Sequence, residues 1–138
     1  MLFYYNVRQC NLLGNELMSL LARFPWMLTV VGYLLAVEYL QLSMTGNVGY
    51  GFIAVALVAF MIEMFKSGDV GVAGFFWDQF WALVTVMLAT SLLTFLYFVA
   101  GKEPTFYHWV GLGVILADAL LNPANAYRTA MRNFDVPN

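Results

Sequence analysis

Four carboxylates lie inside or at the margins of long apolar runs, and they are the residues with most chemistry to offer. Glu38 interrupts the first run, Glu63 lies near the end of the second, Asp78 at the entry to the third and Asp118 within the fourth. An ionisable group in hydrocarbon is costly to keep charged, so it takes up a proton, holds a cation, or finds a donor on a neighbouring helix. Glu38 is expected to face the polar patch of Thr90, Ser91 and Thr94, as a proton or ion site or as a hydrogen bond that holds helices together. Glu63 stands one turn before Lys66, the spacing of a helical ion pair. Asp78 suits the positive end of a helix dipole. Asp118 shares a face with Asn122, four residues on. Convergence of Glu63, Asp78 and Asp118 would make an acidic vestibule at one mouth of a bundle, but helix rotation cannot be read from sequence.

Other reactive side chains are scarce. His108 is the only histidine and is flanked by Tyr107 and Trp109, a setting expected for an aromatic belt at a membrane surface. Haem ligation by two histidines within the chain is excluded. Cys10 is the only cysteine, which excludes an internal disulfide and a multi-cysteine metal site. No serine occupies a nucleophile elbow. The expectation is therefore no enzyme, no cofactor and no metal. Asn122-Pro123-Ala124 repeats the short motif of aquaporins, but that family uses two copies on facing half-helices of a six-span chain, and coincidence is the better account.

The elements that must position these groups follow from composition. Of 138 residues, 62% are hydrophobic and 10% charged, against about 25% charged in an average globular protein. A small soluble chain needs more polar surface than this. Net charge is −2, from six basic and eight acidic residues, which argues against a nucleic-acid partner. The chain reads as an all-α, polytopic integral membrane protein with about four transmembrane helices, at 25–42, 48–65, 80–101 and 106–121. About 20 helical residues cross a hydrocarbon core. Residues 1–24 form an N-terminal segment, 25–121 the transmembrane domain and 122–138 a C-terminal tail. The tight turn 43–47, the polar stretch 66–69 and Pro104 separate the runs. Residues 69–79 are too apolar for an ordinary loop and either extend the third helix or form an interfacial piece. Asn122-Pro123 is expected to break or kink the fourth.

Before the first run, Leu13, Leu17, Leu20, Leu21 and Phe24 recur at helical spacing, an amphipathic interfacial helix. Arg8, Arg23, Lys66, Arg128 and Arg132 fall on one side of a four-span topology and only Lys102 on the other. Basic residues favour the cytoplasmic face, so both termini are expected there, in a bacterial inner membrane. Trp26, Trp77, Trp81 and Tyr127 would mark that interface and Tyr50, Tyr97, Tyr107 and Trp109 the opposite one. Arg23, Arg128 and Arg132 are candidate contacts for lipid headgroups. Gly49, Gly113 and Ala117 are candidate helix-packing positions, the last two at small-xxx-small spacing.

The expected partners are the lipid bilayer and other membrane subunits or further copies of the chain. The expected role is a small structural or accessory subunit of a larger membrane complex, of the secretion, conjugation or energy-transducing type. The alternatives are a homo-oligomeric channel or proton/cation-coupled transporter using the buried carboxylates, and a holin-like permeabilising protein.

Overall fold

The computed structural model describes residues 24–66 and 72–134, and every described element is a helix. The helices are α1 (Met27–Tyr39), α2 (Gly46–Lys66), α3 (Val72–Phe98) and α4 (Phe106–Phe134). The short connections 40–45 and 99–105 lie together at one end, here the tip. The start of α1, the end of α2, the start of α3 and the end of α4 share the other, the base. Going round the bundle the order is α1, α2, α4, α3, with α3 packed most extensively on α4 and α1 on α2. The two short connections thus join antiparallel neighbours. The link between α2 and α3 instead joins helices at opposite corners.

Two helices are long and apolar enough to cross a membrane: Gly46–Phe65, with mean hydropathy 2.1, and Gly74–Phe98, with 1.9. Only 28% and 33% of the residues in these windows are buried, so both present most of their surface outward. Leu57, Val58 and Met61 of α2 and Phe80, Leu83, Met87 and Phe95 of α3 are all exposed. Apolar exposure on this scale is foreign to a soluble monomer and ordinary in lipid.

The helix bounds differ from the sequence reading at three places. The run expected at 25–42 yields a helix of only 13 residues, about 20 Å at 1.5 Å per residue. It stops because Gln41 turns left-handed, at φ 51°. The Gln41 N–H then donates to Glu38 O at 3.2 Å and Leu42 N–H to Val37 O at 3.0 Å, the paired bonds of a Schellman cap. Glycine is the usual residue at that position, so Gln41→Gly is expected to stabilise the fold by about 0.5–1 kcal/mol, read as a later midpoint in denaturing-detergent titration.

The third run begins eight residues earlier than 80, because residues from Val72 onward extend α3. The fourth does not stop at 121: α4 runs through Pro123 to Phe134, so most of the expected tail is helix. Proline removes one backbone donor and the bond to the carbonyl four residues back, a loss that a long helix with exposed Pro123 absorbs. The amphipathic stretch before Phe24, with Arg23 and Cys10, lies outside the described residues.

The core explains the glycine-rich start of α2. Tyr33, Phe52 and Tyr107 form an aromatic chain across α1, α2 and α4, with centroids 5.7 Å and 6.1 Å apart. Tyr33 Oη donates to Val48 O at 2.8 Å. A Cβ at Gly49 would fall on the Tyr107 hydroxyl and lie 2.6 Å from its ring Cζ, and one at Gly51 would lie 2.9 Å from the Tyr33 hydroxyl. Glycine here is what lets rings from two other helices lie on the backbone of α2. Gly49→Ala is therefore expected to cost about 1–2 kcal/mol as Tyr107 is displaced, measured by the same titration. Gly113 differs: nothing lies within 4 Å of its Cβ position and it is exposed, with Ala117 half-buried. That pair faces outward rather than into the bundle.

Candidate functional site: polar clusters at the two ends of the bundle

At the base, α2, α3 and α4 bring Glu63, Asp78 and Asp118 to the walls of one small cavity. Pro25, Met27, Trp81, Ala82, Thr85 and Asn122 complete its lining, and its volume is about 10 Å³. That is room for about one water molecule. Glu63 and Asp118 are 6% and 4% exposed, and Thr85 and Asn122 are equally deep. The separation of Asp118 and Asn122 by four residues puts both on the cavity face of α4, as helical geometry requires.

Glu63 has a definite structural task. The Trp26 N–H donates to Glu63 Oε1 at 2.6 Å, so a carboxylate of α2 caps the start of α1. The first N–H groups of a helix lack intrahelical partners and carry the positive end of its dipole, which makes a carboxylate a strong acceptor there. Below it, Thr85 Oγ1 donates within α3, to Trp81 O at 2.8 Å and Ala82 O at 2.9 Å. Glu63, Asp78 and Asp118 each take part in further interactions. Among the described residues no group of three His, Cys, Asp or Glu has the arrangement of a metal site.

At the tip the structure places Glu38 differently from the sequence reading. Because α1 ends at Tyr39, Glu38 lies in its last turn, away from Thr90, Ser91 and Thr94. Thr90 Oγ1 and Thr94 Oγ1 donate to their own helix, to Val86 O and Thr90 O, both at 2.8 Å. Glu38 instead meets Lys102, with Nζ 3.2 Å from Oε2, and His108, with Nε2 3.4 Å from Oε1.

Each member of this cluster is positioned by a local turn. The Schellman cap fixes Glu38. Left-handed Gly101, at φ 63°, lets the Lys102 N–H return to Leu96 O at 2.9 Å. His108 supplies one half of a capping box: Thr105 precedes the first residue of α4, and its backbone N–H donates to His108 Nδ1 at 3.2 Å, while the His108 N–H donates to Thr105 O at 3.0 Å. The Thr105 hydroxyl lies 2.8 Å from the same nitrogen. Threonine followed three residues later by an acceptor is the sequence mark of such a box, with histidine in the place of the usual glutamate.

His108 is 1% exposed, so it is not an aromatic-belt residue at the surface. Its neighbours Phe106 and Trp109 take the outward positions. The signal that would have found its position is the Thr105-x-x-His108 spacing, not the flanking aromatics. Of the candidate lipid contacts, Arg128 is exposed on α4, whereas Arg23 and the Arg132 side chain lie outside the described residues.

One buried core cluster joins the helices between the two ends. Val30, Leu34, Phe52, Ala89 and Ile115 are fully buried within it. Compared with known proteins, the chain matches no family model, no curated protein and no solved structure.

Proposed function

We propose that this chain is a small structural or accessory subunit of a larger membrane assembly, held in the bilayer by a bundle that is packed shut. The observation that carries this reading is the outward face of α3. Thr90, Ser91 and Thr94 line an open groove there with Val86, Met87, Phe95 and Phe98. Hydroxyl-bearing residues on an otherwise apolar exposed face suit the seating of another helix more than contact with acyl chains alone. Exposed Gly113, with half-buried Ala117, offers α4 as a second close-approach face. In this reading the charged residues chiefly fix helix ends, as Glu63 does for α1.

The same reading places the chain in a bacterial inner membrane with four crossings and both termini cytoplasmic. The basic residues on the base side, Arg128 among them, support that orientation. Partners are other subunits or further copies. Mild detergent extraction of tagged chain followed by mass spectrometry is expected to recover a fixed set of membrane proteins, or an oligomer. In a Cys10→Ser background, Ser91→Cys is expected to crosslink to that partner. A chain that always emerges as a lone monomer, with no crosslink from position 91, would remove the proposal.

A second reading has its own support. The shared cavity of Glu63, Asp78, Asp118 and Asn122 is the arrangement that a proton- or cation-coupled protein uses at one mouth. Proteoliposomes containing the chain would then pass protons or cations, and Asp118→Asn would abolish that flux. Wild-type vesicles indistinguishable from empty ones exclude it.

A further inference from the structure

We propose that His108 and Glu38 form a proton-binding site at the tip, whose occupancy decides whether Glu38 is held by Lys102 or by His108. The inference is independent of the subunit reading, since it concerns the ligand state of one cluster.

The tautomer follows from the donors around the ring. A backbone N–H can only donate, so the 3.2 Å contact from Thr105 N makes His108 Nδ1 an acceptor. The neutral ring therefore carries its proton on Nε2. That nitrogen is buried without a hydrogen-bond partner, on a side chain 1% exposed, and it points at Glu38 Oε1 from 3.4 Å. Ion-pair distance without hydrogen-bond geometry describes a partner waiting for charge.

A proton arriving from water adds to Nδ1, taking over the lone pair that accepts from the Thr105 N–H, which then turns to water at the exposed Thr105. Three contacts then change together. Nδ1–H can no longer accept from Thr105 N–H and donates to Thr105 Oγ1, already 2.8 Å away. The imidazolium Nε2–H closes on Glu38. Lys102, whose side chain is 55% exposed, loses its share of that carboxylate to the buried cation and turns to water. Deprotonation reverses each step.

Charges that oppose or support this exchange are few. Glu38 is the ionisable group facing the ring from α1, and Lys102 the one beside it from the connection, where Glu103 is exposed. On α4 itself Tyr107 turns toward Gly49 and Phe52. The first charged residue of α2 is Glu63, at the base, and the last turns of α3 offer only exposed Tyr97.

One histidine in the chain makes the experiment specific. Nitrogen-15 histidine NMR of the full chain in micelles is expected to show the Nε2–H tautomer at high pH and one protonation step on acidification. Glu38→Gln removes the counter-charge and should move the midpoint down by about one pH unit, a tenfold loss of proton affinity. Lys102→Met removes the competitor and should move it up. An Nδ1–H tautomer at high pH, or a midpoint indifferent to both substitutions, overturns the proposal. Opposite shifts from two variants at one site cannot arise from general loss of folding.

Discussion

Phe52→Ala is expected to lower the stability of the folded bundle by about 2–3 kcal/mol, among the largest effects of any single truncation. Phe52 is fully buried and touches both ends of the aromatic chain, Tyr33 and Tyr107. It also lies against Gly111, where a Cβ would be 3.0 Å from its ring. In water-soluble proteins such truncations cost about 3–5 kcal/mol, a sum of transfer and cavity terms. In a bilayer the separated helices still bathe the ring in hydrocarbon, so the transfer part is largely absent and the cavity part dominates. Titration of the micelle-embedded chain with denaturing detergent reads the difference. A loss below 0.5 kcal/mol would mean that the aromatic chain is not what joins α1, α2 and α4.

Glu63→Ala is expected to cost a similar amount, about 1.5–3 kcal/mol, the range for a hydrogen bond to a charged group. The cause is different. Alanine leaves the Trp26 N–H at the start of α1 without the acceptor it now has at 2.6 Å, in surroundings where water does not readily replace it. Glu63→Gln keeps a carbonyl oxygen in nearly the same place and should recover most of the loss. The comparison separates two roles. If glutamine proves as damaging as alanine, the negative charge matters beyond the cap, and the acidic cavity gains weight as a functional site.

How much of this was legible beforehand depended on whether a feature was local. Apolar runs and polar breaks are local, and α2 at Gly46–Lys66 lies within two residues of the run at 48–65. The choice left open for residues 69–79 fell to helix over the described part, from Val72 onward, because Phe75, Phe76, Trp77 and Phe80 continue the apolar run without a glycine or proline after Gly74. By contrast, the end of α1 was hidden. Nothing in Tyr39-Leu40-Gln41 announces a stop, since the left-handed residue is glutamine rather than glycine.

The polar groups divide in the same way. Glu38, Glu63, Asp78 and Asp118 could be singled out one by one, from charge in an apolar setting. Their partners could not, because partnership depends on how four helices rotate about their axes. The helix α1 ends at Tyr39, three residues short of 42, and Glu38 in its last turn meets Lys102 and His108 rather than the hydroxyl patch of α3. His108 was misplaced for a related reason: its neighbours in sequence are aromatic and outward-facing, while its own side chain points inward from the capping box.

The brevity of α1 has a consequence for the surrounding lipid. At about 20 Å it falls some 10 Å short of a typical hydrocarbon thickness, whereas the 21 residues of α2 reach about 32 Å. One flank of the bundle is thus shallower than the other. In the proposed arrangement of four crossings, bilayer meeting that flank would dimple toward it, at an elastic cost that grows with every ångström of mismatch. The strain is relieved wherever the leaflet is already pinched or a neighbour fills the gap, so the chain should gather at thin or crowded membrane.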